Sequence, residues 1–185
     1  LPDVILHGGE TISIGSFSFK VLWTPGHSPG HICLYEPTQE ILIAGDHILP
    51  TITPNIGLHP QSGSNPLGDY LNSLNIVKPL SVNLILPGHE HAFTGLQQRV
   101  DELIQHHEQR NAEILETIKA KAKTGYQVAT EITWMSDINA VGWQKLDPWD
   151  KRMAILETLA HLESMRFNGK VDKIPKDSII YYQPA

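Results

Sequence analysis

Phe17, Phe19, Val21 and Trp23 stand at every second position, with Ser18, Lys20 and Leu22 between them, which is the period of a half-buried strand. Around this signal lie shorter ones of the same kind. Ile5-Leu6 reads as a first short strand running into a turn at His7-Gly8-Gly9, and Thr11 to Ile14 as a second. His31 to Tyr35 and Ile41 to Ala44 predict two more strands, joined by the polar turn Glu36-Pro37-Thr38-Gln39. Residues 50–65 are rich in Pro, Gly and Ser and read as a long surface loop, the kind that often serves as a lid. Asn65 as N-cap and Pro66 at the first helical position then open a helix whose inner face is Leu67, Tyr70, Leu71, Leu74 and Val77. Pro79 stops it, and Val82 to Leu86 is a buried strand. Strand, helix, strand in that order predicts a layered α/β domain.

From Thr94 the period becomes helical. Thr94 and Gln97 have capping-box spacing, and Leu96, Val100, Leu103, Ile104, His107, Ile114, Leu115 and Ile118 predict a long helix ending near Gly125. A second helix is predicted over Thr130 to Asn139. A third starts at Asp147 as N-cap with Pro148 behind it, buries Ile155, Leu156, Leu159, Leu162 and Met165, and stops at Asn168-Gly169. Val171 to Ile174 and Ile179 to Tyr182 form two short strands. Three helices and a small hairpin outline a winged helix. The expected domains are residues 1–120 and 121–185.

Composition narrows the function classes. Of 185 residues, 41% are hydrophobic and 18% charged, as in a globular chain with enough core to need no disulfide. Cys33 is the single cysteine and fits a reducing cytoplasm. No apolar run reaches the length of a membrane span, and no signal peptide is visible. The net charge of −6 gives no default preference for a polyanion. Lys119, Lys121 and Lys123, and Lys170, Lys173 and Lys176 near the hairpin, are the basic stretches a nucleic-acid-binding wing would use. Residues 101–185 carry 13 acidic against 11 basic side chains, so a solvated face is the better reading. The chain opens at Leu1-Pro-Asp, as a segment of a longer protein would.

The chemistry lies in three runs: Thr24-Pro-Gly-His-Ser-Pro-Gly-His31, Ala44-Gly-Asp-His47 and Leu86-Pro-Gly-His-Glu-His91. Each follows a strand-like run, so His27, Asp46 and His89 are delivered to the rim of a sheet. Gly permits a tight corner and Pro fixes the entry direction. A carboxylate directly after a buried strand is costly unless paired or metal-bound. Singly, each is an ordinary turn or cap residue. Together, two His and an Asp can converge on one or two Zn²⁺-like ions. His31, which opens a strand, is read as a hydrogen-bonding support for a ligand. His47 should point to the opposite side from Asp46, and His91 lies two residues past His89; both either face substrate or are plain loop residues. His59 reads as a solvated loop residue, His107 as a core-edge residue and His106 as exposed.

These runs resemble the third, fourth and fifth metal motifs of the metallo-β-lactamase superfamily, in the variant of its glyoxalase II-like and lactamase-B-like hydrolases. Arg152, Glu157, His161 and Leu162 resemble the winged-helix tail of the lactamase-B-like branch. The resemblance implies an α/β fold, the second half of an αββα sandwich followed by a small winged-helix domain. It implies that His27 binds one metal, His89 the other, and Asp46 bridges both as the catalytic carboxylate. The family's His-x-His-x-Asp-His run is absent from all 185 residues. Only two protein donors are left per ion, where Zn²⁺ takes three or four. The full-length protein is therefore expected to hold two Zn²⁺ (or Fe or Mn), and this chain alone to bind metal weakly or not at all and to be inactive. An exposed sheet face is expected to make it self-associate.

The implied activity is hydrolysis, with a metal-held hydroxide attacking a thioester, an ester or an RNA phosphodiester. A β-lactam fits least. The alternative is a non-catalytic nucleic-acid or protein binding module built on the winged helix. A flavo-diiron reading has no flavin-binding sequence to support it.

Overall fold

The computed structural model describes residues 2–136 and 139–185, without the side chains of 135, 136, 139 and 140. The chain forms two compact units: residues 1–54 with 68–104, and residues 55–67 with 105–185.

The first unit is a five-stranded sheet in chain order: β1 (Thr11–Ile14), β2 (Phe17–Trp23), β3 (Ile32–Glu36), β4 (Ile41–Gly45) and β5 (Leu84–Pro87). β1 to β4 pair antiparallel. β5 runs parallel to β4, so its crossover needs a helix, α1 (Pro66–Val77). The strands predicted from Thr11 onward in this unit form, with ends displaced by up to two residues, whereas Ile5-Leu6 forms no strand.

The register separates two faces. Cys33, Tyr35, Leu42, Ala44 and Ile85 share one face and are buried. The same unit buries Tyr70, Leu74 and Val77 of α1 and Val100 and Leu103 of the next helix. The other face is apolar on every strand: Ile14, Phe17, Trp23, Leu34, Ile43 and Leu84 lie on it. Ile14, Phe17, Trp23 and Leu84 are exposed and Leu34 and Ile43 half-buried, while Phe19 and Val21 on the same face are buried. Among the described residues this face has no complete cover.

α2 (Leu96–Ile118) runs through both units. The capping box expected at Thr94 does not form. Gln97 instead turns its amide to the carbonyls of Lys78 and Leu80, beyond the end of α1. α2 also stops at Ile118 rather than near Gly125. The backbone of Lys123 exchanges hydrogen bonds of 3.0 and 2.8 Å with Tyr182, so the segment leaves the helix to join the C-terminal hairpin.

In the second unit, Gly125 begins a helix instead of ending one. α3 (Gly125–Glu131) starts from a true capping box, Thr124 with Gln127. The helix predicted over Thr130 to Asn139 is replaced by the end of α3 and by a hairpin of β6 (Trp134–Ser136) and β7 (Asn139–Val141); Asp137 and Ile138 lie outside the described residues. Two interactions fix the switch: Thr133 N–H donates to Glu113, and the Arg110 guanidinium lies 4.6 Å from the Trp134 ring centre. α4 (Pro148–Phe167) begins as predicted, with Asp147 Oδ1 accepting from Asp150 N–H. β8 (Val171–Lys176) and β9 (Ile179–Pro184) complete the hairpin. The core of this unit gathers Ile114, Ile118, Val128, Trp134, Trp143, Leu162 and Tyr182. His107 is deeper than a core-edge position, with its Nδ1 3.3 Å from His161 Nε2, and His106 is half-buried rather than exposed.

The loop at 50–65 is not simply a surface loop. From Asn55 it belongs to the second unit, where Ile56 is buried and Leu58 N–H donates to the Leu156 carbonyl of α4 at 2.9 Å. No helix among the described residues is long and apolar enough to cross a membrane.

Candidate metal centre

The site lies in the first unit, beyond the ends of the parallel pair β4 and β5. β4 ends at Gly45 in a left-handed conformation (φ 52°), which turns Asp46 off the strand. β5 ends at Pro87, and Gly88 N–H donates to the Gly45 carbonyl at 2.7 Å, locking the two strand ends together. A Cβ on Gly88 would stand 2.5 Å from Asp46 Oδ1, so glycine lets this corner close without displacing the carboxylate. The glycine before His27 has its own reason. Gly26 has φ 142°, and a Cβ there would meet Tyr70 Cβ at 2.4 Å. Helix α1 secures that loop through Ser73, whose hydroxyl donates to the Pro25 carbonyl at 2.8 Å.

These corners bring the three predicted side chains together. His27 Nε2 lies 3.6 Å from Asp46 Oδ2, and His89 Nε2 lies 3.3 Å from Asp46 Oδ1. The two rings thus approach opposite oxygens of one carboxylate. Oδ1 is buried and has no well-aligned hydrogen bond, although the His89 nitrogen is close. The donor types, two imidazole nitrogens and a carboxylate, suit Zn²⁺. Two donors each about 2.0–2.2 Å from a tetrahedral ion stand roughly 3.3–3.6 Å apart, so both separations fit. The donor number does not complete a site. Among the described residues, no group of three or more His, Cys, Asp or Glu is arranged to hold a metal ion.

His31 does not join the cluster as a third donor. Its Nε2 accepts from Asp46 N–H at 3.2 Å, and its Nδ1 lies 2.8 Å from Thr24 Oγ1. Burial, then the nearby His27, hold its pKa down, against the pull of Asp46. His47 does not face solvent. It is fully buried, 5.1 Å from the Tyr70 ring and 5.8 Å from that of His31, and burial lowers its pKa to about 3. The cause lies in the backbone: after the left-handed Gly45 the strand alternation no longer holds, and His47 N–H turns back to Ala44 O at 3.0 Å. His91 is exposed. His59 lies in the second unit, half-buried, beside Gln61.

Two supporting residues escaped the sequence reading. Glu90, between His89 and His91, has φ 68° and takes the hydroxyl and amide of Thr51 and the amide of Ile52 on its carboxylate. The Thr51 hydroxyl is the main reason its pKa is lowered. Arg99 of α2 donates to the carbonyls of Leu49 and Ile52 at 2.7 and 2.8 Å. Together they hold residues 49–52 beside the His89 corner. The only sequence signal was a charged residue inside a motif otherwise devoted to donors.

Residues 1–89 match the family model described as the metallo-beta-lactamase superfamily. A beta-lactamase-like protein 2 homolog of Caenorhabditis elegans is 30% identical over 151 residues, which are 82% of this chain and 45% of that protein. An atrochrysone carboxyl ACP thioesterase of Aspergillus fumigatus is 27% identical over 107 residues, 58% of this chain and 31% of its own length. In structure, all of this chain superposes on 55% of a metallo-beta-lactamase family protein from Thermus thermophilus, with a TM-score of 0.84 and 30% identity. The chain spans less than half the length of these two relatives and little more than half of that structure.

Proposed function

The chain belongs to the metallo-β-lactamase superfamily, and from that membership we propose that it carries one half of the dinuclear metal centre of a hydrolase acting on a thioester or ester. The observation that supports this most is the approach of His27 and His89 to opposite oxygens of Asp46. His27 and Asp46 would hold one ion, His89 and Asp46 the other. The remaining donors would come from polypeptide beyond these residues, since two donors leave each ion under-coordinated. A zinc-type ion held there supplies an activated water at neutral pH and draws charge from the scissile carbonyl.

The chain's own residues do the rest. The two imidazoles would bind through Nε2, the ring nitrogen each turns toward Asp46. Asp46 orients the attacking water and accepts its proton on a carboxylate oxygen, for transfer to the leaving group. Glu90 and Arg99 fix residues 49–52, which would border the substrate next to His89. A thioester is favoured over a phosphodiester because a relative of this chain is a thioesterase. The fold's second unit is read as a winged-helix appendage. Its use as a nucleic-acid module is the weaker reading, because Lys119, Lys123 and Lys173 of the basic stretches are already paired with Glu116, Glu131 and Glu163.

The deciding experiment is Asp46→Ala in a protein that supplies the full donor set, assayed with acyl thioesters and added Zn²⁺. We expect turnover to fall by at least a thousandfold. Retained activity would refute the assignment.

A further inference from the structure

The ring of His31 touches Asp46 only through its backbone, and the proton on each group there can be placed by elimination. Asp46 N–H can only donate, so His31 Nε2, 3.2 Å away, must be a bare acceptor. A neutral ring then carries its hydrogen on Nδ1, which donates to Thr24 Oγ1 at 2.8 Å. The Thr24 hydroxyl is free to donate onward, to Cys33 Sγ at 3.4 Å. The thiol donates in turn to the Ala44 carbonyl at 3.6 Å. The chain starts on Asp46 and ends on Ala44, the two neighbours of left-handed Gly45. That glycine is itself required, since a Cβ there would lie 2.7 Å from His31 Nε2. Thr24 and Cys33 are fully buried, so no bulk water competes for these partners.

We infer that Thr24, His31 and Cys33 form a one-way hydrogen-bond chain that clamps the end of β4, and that His31 is the positioning residue that aims the Asp46 carboxylate between His27 and His89. This rests on the reading of Asp46 as a shared ligand. It excludes His31 from metal binding, because its one lone-pair nitrogen is committed to Asp46 N–H. Thr24 and Cys33 thereby belong to the site's support, although neither touches His27, His89 or the Asp46 carboxylate.

The test is long-range ¹H–¹⁵N NMR of the 185-residue chain, with amide exchange, first free of metal and then with Zn²⁺ alone. His31 should be the neutral Nδ1–H tautomer and the Asp46 amide slow to exchange. Thr24→Val removes the Nδ1–H acceptor, so the ring should shift toward the Nε2–H form and Asp46 exchange should accelerate at least tenfold. Thr24→Ser, which keeps the hydroxyl, should restore both. Zn²⁺ should move the His27 and His89 signals and leave the His31 tautomer unchanged, with about tenfold more Zn²⁺ needed in Thr24→Val. A charged or Nε2–H His31, a His31 ring that itself takes up Zn²⁺, or unchanged Asp46 exchange in Thr24→Val overturns the clamp. If His27 and His89 ignore Zn²⁺ in a protein that supplies the full donor set, the shared-ligand reading fails, while tautomer and exchange in the 185-residue chain still decide the clamp. If Thr24→Val does not fold, the parent tautomer decides it alone.

Discussion

Replacing Gly88 by Ala separates the site from the stability of the sheet that carries it. The added Cβ would lie 2.5 Å from Asp46 Oδ1 and 3.1 Å from the Gly45 carbonyl carbon, where ordinary contact begins at 3.4 Å. The Gly45 backbone is held by Gly88 N–H at 2.7 Å, so the softer partner, the carboxylate, must retreat by about 0.9 Å. Overpacking of this size costs about 1–3 kcal/mol. The backbone angle at Gly88 is not of the positive kind, so alanine also stiffens the unfolded chain, worth about 0.4–1 kcal/mol in the other direction. The net loss in stability should be about 1–2 kcal/mol, too little to unfold a domain. The site should suffer far more, since a displacement of about 1 Å at reacting groups costs on the order of a hundredfold in rate. Gly30→Ala is the control. It lies between His27 and His31 with nothing within 4 Å of its added Cβ, and should be neutral or slightly stabilising. Urea unfolding gives the stability of all three chains. Competition of Zn²⁺ with a chromophoric chelator, and thioester turnover in a protein with the full donor set, give the site. A Gly88→Ala protein with parental Zn²⁺ affinity and turnover would show that the Asp46 oxygen next to Gly88 is not where the chemistry happens.

The remaining expectations concern pH, the sheet face and a cap. Burial lowers the pKa of His47 and of His107 to about 3 from an ordinary 6.5. Each therefore adds stability that is complete above pH 6.5 and is lost as the pH falls toward 3, up to about 5 kcal/mol apiece. Glu157 runs the other way: burial raises it to about 7, so its contribution fades as the pH rises from 4.5 through 7. Urea midpoints measured from pH 7 down to pH 4 should fall, and His47→Leu should flatten the curve; a flat parental curve would contradict this. The apolar sheet face should make the chain self-associate in light scattering, and Trp23→Glu with Phe17→Glu should return it to a monomer; a monodisperse parent chain refutes the idea. Thr124→Ala removes the capping box of α3 and should cost about 1 kcal/mol in thermal or urea unfolding.

The strands were readable because each rests on alternation or a short β-branched run between clear turns, and the donors because Pro-Gly corners announce where a strand stops. What was not readable depended on partners far along the chain. The segment after Ile118 gives up helix because Lys123 pairs with Tyr182, 59 residues on. The residues after Ile132 extend because Glu113 of α2 takes the Thr133 amide. His47, read as a site-mouth or loop residue, is buried against Tyr70 because the backbone folds back after a left-handed glycine, which the strand pattern does not signal. Glu90 and Arg99 were missed because what they bind is backbone, which leaves no trace in the sequence of residues 49–52.

Two independent shortfalls meet in the first unit. The centre offers each ion two donors where three or four are needed. The sheet that carries it has an apolar face on which Trp23 and Ile14 are more than half exposed. Coordination number and hydrophobic exposure are unrelated quantities, yet each asks for added polypeptide in the same unit. A segment laid over the exposed face could supply donors to His27, Asp46 and His89, so covering and metal binding should be coupled. That coupling is measurable. Zn²⁺ affinity of the chain should rise with protein concentration as the face becomes covered, and the doubly charged Trp23→Glu, Phe17→Glu chain should lose this dependence while its three donors stay in place. An affinity independent of concentration in the parent chain would mean that whatever covers the sheet brings no donor with it.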